Sequence, residues 1–176
     1  MELSGNVAAL ALLQAALLFW SWKRWADIAV DSGYNLYTTW QLSSGKVLYV
    51  DLAYYHGPLA PYADALAFHF LGESILSLAF FHALIAVCIA FLIGRIFLRF
   101  SERWTAFGAS ALFLILFACS QYTLVGNYNF VMPYKSEAAL GVFFCVAQIF
   151  FCTRALESPR ALGWIAAADD GKNPKA

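Results

Sequence analysis

Charge is scarce in this chain of 176 residues: Asp, Glu, Lys and Arg together make up 12%, while hydrophobic residues make up 62%. A soluble domain carries about 25% and 45–50% respectively. With 11 basic and 11 acidic side chains the formal net charge is zero. That excludes the basic face needed to grip a phosphate backbone, and so a nucleic-acid partner. The four cysteines, Cys88, Cys119, Cys145 and Cys152, include no C-x-x-C pair, so zinc-site spacing is missing and each reads as a small buried hydrophobe. The first apolar run is preceded by Glu2 with no Lys or Arg and is followed by no A-x-A cleavage site, so it reads as a retained helix, not a signal peptide. Internal repeats and low-complexity tracts are absent as well.

What is there is apolar length. Four windows contain no Asp, Glu, Lys or Arg: Leu3–Trp22, Ser74–Gly94, Trp104–Tyr134 and Ala138–Thr153. A spanning helix needs about 20 mostly apolar residues, so the expected fold class is an all-α integral membrane protein. About four transmembrane helices are expected, near 4–22, 74–94, 105–125 and 137–153, with a long external first loop over 23–73 that carries two interfacial helices. The chain beyond 160 reads as an incomplete fifth helix and a polar tail, since Ala161–Ala168 is too short to span. With the N-terminus in the cytoplasm, Arg95, Arg99, Arg103, Arg154 and Arg160 fall inside, joined by Lys172 and Lys175, against Lys23, Arg24, Lys46 and Lys135 outside.

The loop is too polar to cross a bilayer and too aromatic for a linker. Asp31 or Ser32 can cap a helix running to about Ser44, where Gly45 supplies a left-handed stop. Lys46–Tyr55, rich in Val and Tyr, reads as extended chain, and Pro58 suits the first turn of a second helix ending near Gly72. Trp40, Tyr49, Tyr54, Tyr55, Tyr62, Phe68 and Phe70 are rings of the kind that settle at headgroup depth.

An acidic residue soon after the first span, then Ser44-Gly45, Tyr49, Asp51, Tyr54 to Leu59, and Phe70 to Ser74 form a series. In that order and between spans one and two, it resembles the polyprenyl-phosphate-dependent GT-C glycosyltransferases, such as the protein O-mannosyltransferases and lipid A aminoarabinose transferases. The likeness runs to about Arg160 and implies the amino-terminal part of such an enzyme, multi-pass in the bacterial cytoplasmic membrane. It implies transfer of a sugar from a polyprenyl-phosphate donor to an acceptor glycan, lipid or protein on the outer face. Asp31 would be the general base toward the acceptor hydroxyl, a role desolvation favours; it would equally serve as a helix cap.

His56 stands where relatives often carry a basic residue before the Pro-Leu pair, and Ser32 where many carry a second acid. Donor and substrate contacts implied by the likeness are Tyr49, Asp51, Tyr54, Tyr55, His56 and Pro58 in the first loop, with Tyr134, Lys135 and Glu137 at the mouth of span four. Lys135 suits a phosphate, and a snorkelling Lys beside a Glu is the alternative. Asp51 and Asp64 could hold substrate hydroxyls or a divalent cation through oxygen, although no spacing specifies a metal site and no cofactor is certain. His69 and His82 read as packing or interface residues. Two other readings compete: a non-catalytic membrane scaffold or lipid-binding partner, and a small transporter subunit, which the near absence of ionisable residues from the spans disfavours. A chain of this length is expected to be inactive alone.

Overall fold

The computed structural model describes residues 2–21, 24, 32–120, 129–132 and 136–157, and the side chains of these from Asn6 onward. Among them the chain is all-helical, with no strand and one isolated bridge, between Leu48 and Leu52. The elements are α1 (Glu2–Trp20), α2 (Gly33–Ser43), α3 (Leu59–Leu71), α4 (Ile75–Phe97), α5 (Arg103–Leu112), which continues as a π-helical segment over Phe113–Ala118, and α6 (Ser136–Leu156).

Two of these are long and apolar enough to cross a membrane: α4, at a mean hydropathy of 2.6, and α6, at 1.8. At 1.5 Å per residue α4 is about 34 Å long, comparable with a bilayer's hydrocarbon core. Asn6–Trp20 and Arg103–Ala118 are shorter apolar helices.

α4 is the centre of the bundle, touched by α1, α3, α5, the π-helical segment and α6. Its Leu78, Ala86, Ile89 and Ala90 are buried together with Leu10 of α1, Phe68 of α3, Leu114 of the π-helical segment and Leu140 of α6. Close approach depends on small residues, as it does wherever helices gain little from excluding water. A Cβ on Gly94 would lie 2.8 Å from the Ser110 hydroxyl, which donates to the Ala90 carbonyl at 2.7 Å across the α4–α5 contact. Gln14 of α1 reaches the Ala83 carbonyl of α4 at 3.0 Å. At the other end of α4, Arg99 pairs with Glu157 at 2.8 Å and lies over the Phe150 ring. Because Ser136 lies near α3 and Glu157 near Arg99, α6 runs parallel to α4.

Helices α2 and α3 form a hairpin whose small core is Leu42, Leu48, Tyr54 and Ala65. Gly45 (φ 91) and Gly72 (φ 88) end the two helices in left-handed backbone that a Cβ would strain. Pro58 starts α3, and Ser74 caps α4 by accepting from the Ser77 N–H at 3.1 Å. Ser32 precedes α2 but makes no side-chain cap, and Asp31 lies outside the described residues.

Three sequence expectations change here. The middle of Lys46–Tyr55 is a tight turn and not extended chain: Asp51 Oδ2 accepts the Val47 N–H at 2.8 Å and the Asp51 N–H returns to the Val47 carbonyl at 2.9 Å. This Asp-closed turn overrides the β propensity of its Val and Tyr residues. Cys145 and Cys152 are exposed on the open face of α6, and only Cys119 of the four is fully buried. His82 is more than packing, because it faces a carboxylate.

Candidate functional site

One end of the bundle gathers polar side chains from four distant pieces of sequence. Asp64 points from α3 toward α4, where His82 meets it with Nε2 3.0 Å from Oδ1; each residue is only 2% exposed. The two sit at ion-pair distance without the alignment of a hydrogen bond, and neither Asp64 Oδ1 nor His82 Nδ1 has a hydrogen-bond partner among the described residues. Buried polar atoms nearly always have a partner, so an unsatisfied one calls for an explanation such as strain, a bound water or a functional role. Beside the pair is a cavity of about 10 Å³ lined by Ser32, Asn35, Leu36, Leu78, Met132 and Ser136. That is room for about one water molecule and not for a sugar. Met132 is set against it by Asn129, whose Oδ1 accepts the N–H groups of Val131 and Met132 at 2.9 and 2.7 Å.

The second junction joins the hairpin to α6. The hydroxyl of Tyr54, in the turn between α2 and α3, donates to Glu137 Oε1 in the first turn of α6. Burial, then this hydrogen bond, then the nearby negative charge of Glu137 hold the Tyr54 hydroxyl well above the usual phenol range. Tyr54 is therefore a neutral donor near neutral pH, and neither a base nor a nucleophile.

Around Tyr54 the rings interlock. Tyr34 stacks on it at 6.0 Å and 9°, and Tyr49 meets it edge-on at 6.5 Å. His56 stands edge-on to both Tyr54, at 5.7 Å, and Tyr55, at 6.5 Å.

Of the residues singled out from sequence, the structure brings together Tyr49, Tyr54, Tyr55, His56 and Glu137. Asp51 closes its turn through Oδ2, and Pro58 is exposed at the start of α3. Asp31, Tyr134 and Lys135 lie outside the described residues, next in sequence to Ser32 and Ser136 of the cavity wall. Asp51 and Asp64 go to different partners, and no three His, Cys, Asp or Glu side chains converge as metal ligands among the described residues.

Two participants were missed from sequence. His82 carried a signal, as an ionisable residue inside an apolar span, whereas Tyr34 and its stacking on Tyr54 carried none. Along the neighbouring α1–α4 seam runs an apolar groove of about 250 Å³, lined by Ala15, Leu18, Phe19, Leu76, Ala79, Phe80 and Val131. Comparison with protein-family models, with curated proteins and with solved structures finds no match to this chain.

Proposed function

We propose that this chain is the amino-terminal part of a membrane glycosyltransferase of the GT-C type, crossing the bacterial cytoplasmic membrane four times. It moves a sugar from a polyprenyl-phosphate donor to an acceptor on the outer face. The observation that carries the reading is the Tyr54–Glu137 hydrogen bond, which joins the first loop to the mouth of the last span across 83 residues of sequence. A two-substrate site made from two loops needs that junction, and the resemblance assigned the acceptor base to one loop and the donor contacts to both.

In this reading Asp31 takes the proton from the acceptor hydroxyl. The freed oxygen bonds to the anomeric carbon, the bond from that carbon to the phosphate oxygen breaks, and polyprenyl phosphate departs. The phosphate is assigned to Lys135, a cation that strengthens the leaving group, and to His56 as a hydrogen-bond donor. Tyr54 acts at one remove, holding the Glu137 carboxylate in place as a neutral donor. The apolar groove between α1 and α4, at the same end of the bundle as the polar cluster, suits an isoprenoid chain. The residues that line it are Leu, Ala, Phe and Val, with no charge to repel a hydrocarbon.

The test is the envelope glycan profile of a deletion strain beside its solute uptake. Loss of one glycan decoration is expected. A normal glycan profile with altered uptake would overturn the assignment in favour of a transporter.

A further inference from the structure

The cavity next to Asp64 and His82 admits about one water molecule, so no sugar ring fits inside. A saccharide served by this cluster therefore lies on the surface, and the ring cluster in the hairpin turn differs from a membrane-facing aromatic belt. A tyrosine at a membrane interface keeps its ring body in the apolar layer and its hydroxyl toward water. Here the Tyr34 hydroxyl donates to the Ala53 carbonyl at 2.6 Å and the Tyr49 hydroxyl to the His56 carbonyl, both carbonyls lying in the exposed turn.

With their hydroxyls used this way, Tyr34 and Tyr49 still expose 44% and 54% of their surface, and Tyr55 exposes 86%. What points outward is ring. Tyr49 also holds a left-handed backbone (φ 67), a conformation that costs a non-glycine residue about 1–2 kcal/mol. The bond from its hydroxyl and its edge contact with Tyr54 hold the ring itself. Fixed rings lose little freedom when a ligand arrives, and their negative faces accept the C–H edge of a sugar. Asp51 in the same turn uses only Oδ2 on the Val47 N–H, which leaves Oδ1 to accept a sugar hydroxyl.

We infer that the turn between α2 and α3 is a saccharide platform, with a sugar ring stacked on Tyr55 and framed by Tyr34, Tyr49 and His56. This deepens the transferase reading, on which it rests for one point: the acceptor is a glycan and not a protein or a bare lipid. The binding itself needs no transfer to be measured.

The experiment is saturation-transfer NMR on the purified chain in detergent, with soluble hexasaccharides of glucose, mannose and N-acetylglucosamine as probes. Saturation of the sugar C–H protons by at least one of the three is expected, and Tyr55→Ala should weaken that binding by about tenfold, the scale of one aromatic contact. Tyr55→Phe should keep the binding, since the ring and not the hydroxyl carries it. Tyr55 is so exposed that its removal spares the packing. Absence of saturation for all three sugars, or equal binding by Tyr55→Ala, would overturn the platform.

A second arm places the ring directly. With the six native tryptophans replaced by Phe, Tyr55→Trp in vesicles of brominated-chain phosphatidylcholine should keep its fluorescence, and quenching would show a membrane belt in place of a sugar site. Sugar binding that survives alongside glycan transfer unaffected by Asp31→Asn would sink the proposed base and leave the platform standing. Transfer without sugar binding would do the opposite.

Discussion

Removing one half of the Asp64–His82 pair should cost far more than removing both. In His82→Leu the carboxylate stays where it is, 2% exposed, on a helix packed against an apolar span, and its partner on α4, formerly at 3.0 Å, is gone. Stranding one member of a buried pair costs about 3–5 kcal/mol. Asp64→Val strands the imidazole in the same way, at a smaller cost for a group that is neutral when unprotonated. The double variant Asp64→Val/His82→Leu leaves no charge behind and fills the space with carbon, so it should fall within about 1–2 kcal/mol of the parent, as replaced buried pairs commonly do.

The difference, a coupling of several kcal/mol, is measurable by reversible unfolding in mixed micelles of increasing denaturing detergent. Because the pair ties α3 to α4, the single variants should also expose the turn at 46–57 to protease while α4 and α6 stay protected. Two single costs that simply add in the double variant would refute the coupling. The pair would then be two independent side chains that happen to be neighbours.

Three other outcomes follow. Tyr54→Phe leaves the Glu137 carboxylate without its donor and should loosen the hairpin by about 1–3 kcal/mol, seen as faster proteolysis of the same turn. In a tyrosinate absorbance titration of the parent against Tyr54→Phe, the Tyr54 contribution should be missing from the usual phenol range. Its folded-state value lies above the unfolded one of about 10, so its contribution is complete below that pH and is lost only as pH rises further; ionisation of Tyr54 near 10 would contradict the burial. Gly94→Ala puts a methyl 2.8 Å from the Ser110 hydroxyl and should cost about 1–3 kcal/mol by separating α4 from α5. Adding Ser110→Ala should return part of that, as measured by the same micelle unfolding.

The elements of the bundle were legible because their signals are local. An uncharged run from Ser74 marks the beginning of α4, Gly45 and Gly72 mark the ends of the hairpin helices, and Pro58 marks the start of α3. The site was legible only in part, because its bonds are not local. Nothing near Tyr54 in sequence points to Glu137, 83 residues away. His82 has the look of any histidine in an apolar helix until α3 lays Asp64 against it. The turn at 47–51 was misread because Val and Tyr favour strands while one carboxylate, Asp51, settles the backbone. Cys145 and Cys152 were misread because an apolar helix without polar periodicity does not tell its inner face from its outer one.

Glycan transfer by Asp31→Asn, in membranes and with the gene in its own context, bears most directly on the account. A general base contributes about 10²–10⁴ in rate, so transfer from a polyprenyl-phosphate donor should fall by about that factor while the amount of protein in the membrane stays the same. Transfer equal to the parent's would contradict the role given to Asp31 and with it the proposed function.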